Sequence, residues 1–156
     1  LACLSELPQA SGVGIDISAG AVRTATANAA RLDLDGRASF IEGDFADPDA
    51  GGGRFDLILC NPPYIPQAEI DGLAREVAAF DPRLALDGGD DGLVSWRRLS
   101  PRVARGLAPR GRAFVEIGAG QQAAVTDLAI AAGLRPAGDA ADIGGIVRCL
   151  VFTVAG

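Results

Sequence analysis

The sequence predicts an open α/β fold, a mostly parallel sheet with helices on both faces. Three observations lead there. Short apolar runs alternate with stretches of helical periodicity along the chain. The runs Gly12 to Ile17 (GVGIDI) and Phe55 to Cys60 (FDLILC) have the composition of buried strands. Chemically distinctive residues, Asp16, Asp44, Asn61 and Glu116, fall at the ends of such runs, where open α/β sheets bind their ligands.

The elements follow in order. Leu1 to Leu7 reads as the tail of a helix and Gly12 to Ile17 as a strand. Ser18 can cap a helix from about Ala19 to Leu32, because its hydroxyl can accept from the open N–H groups of the first turn. Ala38 to Glu42 is a second strand, ending at Gly43-Asp44-Phe45. After the Gly51-Gly52-Gly53 turn comes the strand Phe55 to Cys60, stopped by Asn61-Pro62-Pro63. Ile65 to Gly92 is polar and punctuated by Pro and Gly, so it reads as a long irregular loop of the kind that carries function. A helix from about Leu93 to Gly106 leads through Pro109-Arg110-Gly111 into a strand at Arg112 to Ile117. Gln121 to Ala132 is helical, and strands follow near Leu134 to Ala137 and Val147 to Val154.

A length of 156 residues fits one domain, residues 1–156, built around one hydrophobic core. The chain is 49% hydrophobic, yet no run approaches the length of a membrane span. It starts at Leu1 and contains no Met, so further residues are expected upstream. A net charge of -6 argues against a broad electrostatic footprint on nucleic acid. With no His, the commonest general base is absent, and with it the usual hydrolase triads and most zinc sites, so no metal is expected. Cys3, Cys60 and Cys149 are far apart and set among apolar residues, which predicts reduced, buried thiols in a cytoplasmic protein.

Asn61-Pro62-Pro63-Tyr64 carries the strongest chemical signal. An amide or exocyclic amino nitrogen is a poor nucleophile because its lone pair is delocalised. The Asn61 side-chain oxygen and the Pro62 carbonyl can each accept one of its N–H groups and favour positive charge developing on it. The two prolines hold Asn61 extended, and Tyr64 can stack on the planar group that carries the nitrogen. None of this needs a titrating base. The bland alternative is an ordinary turn. Asp16 can accept from both hydroxyls of a ribose, or simply open the helix that follows it. Asp44 can accept from an adenine amino group while Phe45 covers the base, or the pair can be turn and core.

The order of these residues resembles class I S-adenosylmethionine-dependent methyltransferases acting on nitrogen. It is most similar to the HemK type, the peptide chain release factor glutamine N5-methyltransferases. The narrower resemblance rests on Arg75-Glu76-Val77 through Phe80-Asp81-Pro82 and on Ala85 to Leu93. It rests further on Glu116-Ile117-Gly118 with Gln121, and on Asp142, Gly145 and Arg148 as a closing D-x-x-G-x-x-R. The resemblance implies a Rossmann-like fold with S-adenosylmethionine as cofactor. It also implies a methyl group transferred to the glutamine of a Gly-Gly-Gln motif in a release factor. It implies that Asn61, Pro62, Pro63 and Tyr64 hold the glutamine, with Asn61 and Pro62 catalytic, and that Asp16, Ile17, Asp44, Phe45 and Asn61 contact the cofactor. The family's first strand and Gly-rich loop have no counterpart in this chain. A nucleic-acid amino methyltransferase, which would have to extrude its base, remains an alternative. A nicotinamide-binding or non-catalytic Rossmann-like domain is a more distant one, with no G-x-G-x-x-G loop to support it.

Overall fold

The computed structural model describes residues 1–47 and 50–154, and of residues 78 and 79 the backbone alone. It falls into two compact units, Leu1–Gly53 and Arg54–Gly156, each with its own sheet.

The first unit holds helix α1 (Ala2–Glu6), strand β1 (Gly12–Asp16), helix α2 (Ala19–Arg31) and strand β2 (Ala38–Glu42). β1 and β2 pair in parallel, Gly12 opposite Ala38 and Asp16 opposite Glu42, with α2 as the crossover. Ser18 caps α2 as expected, its hydroxyl accepting from the Ala21 N–H at 3.3 Å. The core of this unit is small: Leu4, Ala29 and Leu34 are buried, with Leu1, Ala10, Ala38 and Phe40 packed around them. β1 departs from the buried strand its apolar run predicts, with Val13 38% exposed. Among the described residues of this unit, β1 pairs with β2 alone.

Arg37 joins the pieces of this unit. One of its guanidinium nitrogens donates to the carbonyls of Leu7 at 3.0 Å and Ala10 at 2.6 Å, and another to that of Leu4 at 2.8 Å. A helix leaves its last carbonyls without intrahelical partners, and a cation there is also favoured by the helix dipole.

The second unit contains strand β3 (Phe55–Cys60), a 3₁₀ turn (Gln67–Gly72) and the short helices α3 (Arg75–Phe80) and α4 (Arg83–Leu86). Helix α5 (Val94–Gly106), strand β4 (Leu107–Glu116), helix α6 (Gln122–Ala131) and strands β5 (Leu134–Ala141) and β6 (Val147–Val154) complete it. The sheet order is β3-β4-β6-β5. β3 and β4 run parallel, joined through α5, whereas β6 is antiparallel to both neighbours because the turn at 142–146 folds it straight back from β5. Trp96, Leu99 and Val103 of α5, Val125 and Ala129 of α6, and Ala113, Val115, Leu150 and Phe152 of the strands form the core.

Three segments differ from the sequence reading. The stretch Ile65 to Gly92 is not irregular throughout, since the 3₁₀ turn, α3 and α4 lie within it. These helices are shorter than the window over which amphipathic periodicity shows. β4 begins at Leu107 rather than Arg112, and Pro109-Arg110-Gly111 is absorbed in a bulge, Leu107 pairing with Phe55 and Arg112 with Leu57. β5 runs on to Ala141, past the expected end at Ala137, because its partner β6 extends its pairing to that point. The three cysteines are free thiols, and each is half-buried rather than fully buried.

Candidate active site

β3 ends at Cys60, and the chain leaves it as Asn61-Pro62-Pro63-Tyr64. Pro62 is buried while Asn61 is exposed, so the amide group stands out from an anchored backbone. An open cavity of about 440 Å³ lies beside it, lined by Leu59, Asn61, Phe114, Glu116 and Arg148 among others. Cys60 is not a nucleophile here. Burial pushes its thiol up to about 12, against the opposing pull of the Arg102 charge, and a protonated thiol is inert.

Tyr64 is held from both ends. Its hydroxyl donates to Glu116 Oε1 at 3.1 Å and accepts from Arg148 Nη2 at 3.1 Å. The Arg148 guanidinium also lies 5.6 Å from the centre of the Tyr64 ring, within cation–π range. At the backbone, Gln121 Nε2 donates to the Tyr64 carbonyl at 2.9 Å and to the Gly92 carbonyl at 3.3 Å, while Gln121 Oε1 accepts from the Gly118 N–H at 2.9 Å. One side-chain amide thus joins three separate stretches of chain.

The closing loop is built to fit beneath this. The Gly88 N–H donates to the Ile65 carbonyl and the Ile65 N–H to the Leu86 carbonyl, which ties the loop to its own start. Gly92 has φ +72°, and a Cβ there would run into the Tyr64 carbonyl and come within 2.6 Å of Gln121 Nε2. Only glycine meets both demands. At the other side, the D-x-x-G-x-x-R stretch is the β5–β6 hairpin. Asp142 Oδ1 accepts from the N–H groups of Gly144 at 2.8 Å and Ile146 at 3.1 Å, and Gly145 takes φ +80°. The turn starts β6 at Val147, so that Arg148 reaches Tyr64.

Gln121 and Arg148 were not among the site residues that sequence reasoning selects, and Glu116 was picked out only as a residue at a strand end, with no role assigned to it. The available signal was their presence in the segments that carry the resemblance, but nothing in their spacing points to Tyr64, which lies 52, 57 and 84 residues away.

The other predicted residues lie in the first unit. Asp16 ends β1, is exposed, and accepts from the Ser18 N–H at 2.8 Å through Oδ1. That is the helix-opening role, and a carboxylate retains further acceptor sites beyond it. Ile17 is 55% exposed. Asp44 Oδ1 accepts from the Ala46 N–H at 2.8 Å, and Phe45 is half-buried.

The fold defines the class. Solved structures with the same fold include a methyltransferase from Pyrococcus furiosus, with a TM-score of 0.68 at 14% identity over 99% of this chain and 68% of that one. Another is an O-methyltransferase from neocarzinostatin biosynthesis solved with S-adenosyl-L-homocysteine, with a TM-score of 0.63 at 19% identity over 98% and 44%. The chain therefore has the Rossmann-like α/β fold of S-adenosylmethionine-dependent methyltransferases. It belongs to the methyltransferase domain family, which matches residues 1–80.

Among individual proteins, it is 50% identical over 151 residues to the release factor glutamine methyltransferase of Rhodospirillum rubrum, covering 97% of this chain and 46% of that protein. It is 50% identical over 133 residues to that of Caulobacter vibrioides, covering 85% and 46%, and 46% identical over 153 residues to that of Bradyrhizobium diazoefficiens, covering 96% and 50%. The chain spans about half the length of these curated relatives.

Proposed function

We propose that this chain is the catalytic part of an S-adenosylmethionine-dependent enzyme that methylates the side-chain amide nitrogen of a glutamine in a protein. The substrate we assign is a peptide chain release factor, through its Gly-Gly-Gln motif. The observation that carries this reading is the tetrad after β3: an exposed Asn61 on a buried Pro62, with Tyr64 tied at its hydroxyl and its carbonyl. The relatives support the substrate class, each being named for glutamine methylation of release factors. The reading puts the protein in the cytoplasm with translation.

S-adenosylmethionine, when bound, supplies a methyl group on a positively charged sulfur. In the first unit, Asp16 and Ile17 suit its ribose, and Asp44 and Phe45 its adenine. Exposed Asp16 retains acceptor sites for hydroxyl groups, and Phe45 offers an aromatic surface. In the second unit, Asn61 Oδ1 and the Pro62 carbonyl accept the two N–H groups of the glutamine amide, which draws electron density toward its nitrogen and stabilises the charge that grows there. Pro63 keeps the strand exit rigid, and Tyr64 stacks on the amide plane. The transferred methyl leaves one excess proton on nitrogen, which solvent can take, so no residue need act as a base.

The test is to incubate the whole protein with methyl-labelled cofactor and either release factor or nucleic acid. Label is expected in the release factor glutamine, and label entering only nucleic acid would sink the proposal. Asn61→Ala should lose about 2 to 4 kcal/mol of transition-state stabilisation, the usual effect of removing one positioned hydrogen-bonding group. Unchanged turnover would remove Asn61 from the mechanism.

A further inference from the structure

Tyr64 is the sole tyrosine of the chain, and a carboxylate and a guanidinium from two different strands meet at its hydroxyl. Glu116 ends β4, and Arg148 is the second residue of β6, delivered by the Asp142–Gly145 turn. All three side chains are half-buried, so this charge pair is partly removed from solvent while its members meet at a phenol. A phenol hydroxyl donates one hydrogen bond and accepts others. Here the proton is committed to Glu116 Oε1 at 3.1 Å, and a lone pair receives Arg148 Nη2 at 3.1 Å.

We propose that Glu116 and Arg148 are positioning residues that act through Tyr64. Together they fix the rotation of its ring and keep its hydroxyl proton away from the reacting amide. This rests on the methyl-transfer reading above and deepens it. A ring free to turn would offer the amide no constant plane. A hydroxyl free to donate would compete for the amide oxygen, and a hydroxyl free to accept would compete with Asn61 and Pro62 for the N–H groups. The chain Arg148 to Tyr64 to Glu116 prevents both. The ionisation of Tyr64 carries the same imprint. It is raised above the ordinary phenol value by burial first, then by the hydrogen bond to Glu116 and by its charge, with the Arg148 charge pulling the other way.

Two measurements on the whole protein test this. The first is a pair of double-mutant cycles. Glu116→Gln and Arg148→Met are each made beside Tyr64 and beside Tyr64→Phe, and assayed for kcat and KM on a glutamine-containing Gly-Gly-Gln peptide. Each single change should lower kcat by roughly 10-fold, as small misplacements of substrate do, with the KM for S-adenosylmethionine unchanged. In the Tyr64→Phe background the same changes should cost less than about 2-fold, because the group they act through has gone. Equal losses in both backgrounds would overturn the proposal.

The second measurement is the tyrosinate absorbance that disappears in Tyr64→Phe, followed against pH. Glu116→Gln should move this titration to lower pH and Arg148→Met to higher pH. General loosening of the site would move both in one direction, and that result, or no movement, would overturn the linkage. Because the titration needs no turnover, opposed shifts in a protein that transfers no methyl to the peptide would uphold the linkage while removing the methyl-transfer reading.

Discussion

Each unit contains one long polar side chain that joins three stretches of backbone, and the two do so for different ends. In the first unit Arg37 gathers the carbonyls of Leu4, Leu7 and Ala10, all within the end of α1 and the loop that follows it. In the second, Gln121 gathers Tyr64 and Gly92, from the two ends of the connection between β3 and α5, and Gly118, from the connection after β4. Arg37 closes a helix end onto its own continuation, so it contributes to the stability of a local structure. Gln121 determines where the backbone of Tyr64 sits relative to the loop and the β4 terminus, so it contributes to the geometry of a site. The same economy of one side chain for three contacts serves folding in one place and preorganisation in the other.

Removing Gln121 should give the largest effect. Gly92 and Gly118 are buried residues and their bonds to Gln121 are partly buried, so Gln121→Leu leaves one carbonyl and one N–H without that partner and weakens the hold on Tyr64 as well. A loss of about 2 to 4 kcal/mol in unfolding free energy is expected, at about 1 to 3 kcal/mol for each buried group left unsatisfied. Denaturant unfolding followed by the fluorescence of Trp96, the sole tryptophan and a core residue of the same unit, measures it. Methyl transfer should fall in the same variant. Unchanged methyl transfer per folded molecule, whatever the loss of stability, would break the distinction between a weld that holds the site and one that holds only the fold.

Arg37→Met is the matching change in the first unit, and it should cost less, about 1 to 2 kcal/mol, because its Leu7 contact is exposed to water whereas all three Gln121 contacts are partly buried. Activity per folded molecule should be unchanged. Hydrogen exchange at the α1 amides is the direct readout, since the loss should appear as faster opening of that helix. An effect larger than that of Gln121→Leu would reverse the ranking of the two welds.

The comparison also explains what the sequence discloses. Local signals were legible: Ser18 as a cap, Phe55 to Cys60 as a strand, and Gly51 to Gly53 as a turn each depend on residues a few positions apart. The tetrad was legible as chemistry, because Asn and two prolines after an apolar run have few other uses. The surroundings of Tyr64 were not. Glu116 and Arg148 are ordinary surface residue types whose role exists only once β4 and β6 pair, Glu116 opposite Cys149, and carry them to the same end of the sheet, while Gln121 reaches Tyr64 from the start of α6. The short helices α3 and α4 were missed for the opposite reason, being too brief to show a period. Asp16 and Asp44 remained double in meaning, and each does make the turn contact of its bland reading.

The weakest tie sharpens the contrast from below. Asp91 and Arg97 also fasten the loop that precedes α5, through a bidentate ion pair and the Asp91 bond to the Leu93 N–H at 3.1 Å, but both side chains are about half exposed. Arg97 first, then the Leu93 N–H, hold the Asp91 carboxyl down at about 2, from an ordinary value of 3.8. A carboxyl lowered on folding adds stability above its unfolded value, and that contribution disappears as pH falls through the folded one. Asp91→Asn should therefore lower the Tm slightly near neutral pH, and the difference from wild type should shrink between about pH 4 and pH 2. Exposed pairs contribute little and are screened by salt, so the shift should also diminish at high ionic strength, which the carbonyl contacts of Gln121 would not do. A shift as large as that of Gln121→Leu would mean that exposed charge and not the half-buried Gln121 amide sets the loop beneath Tyr64.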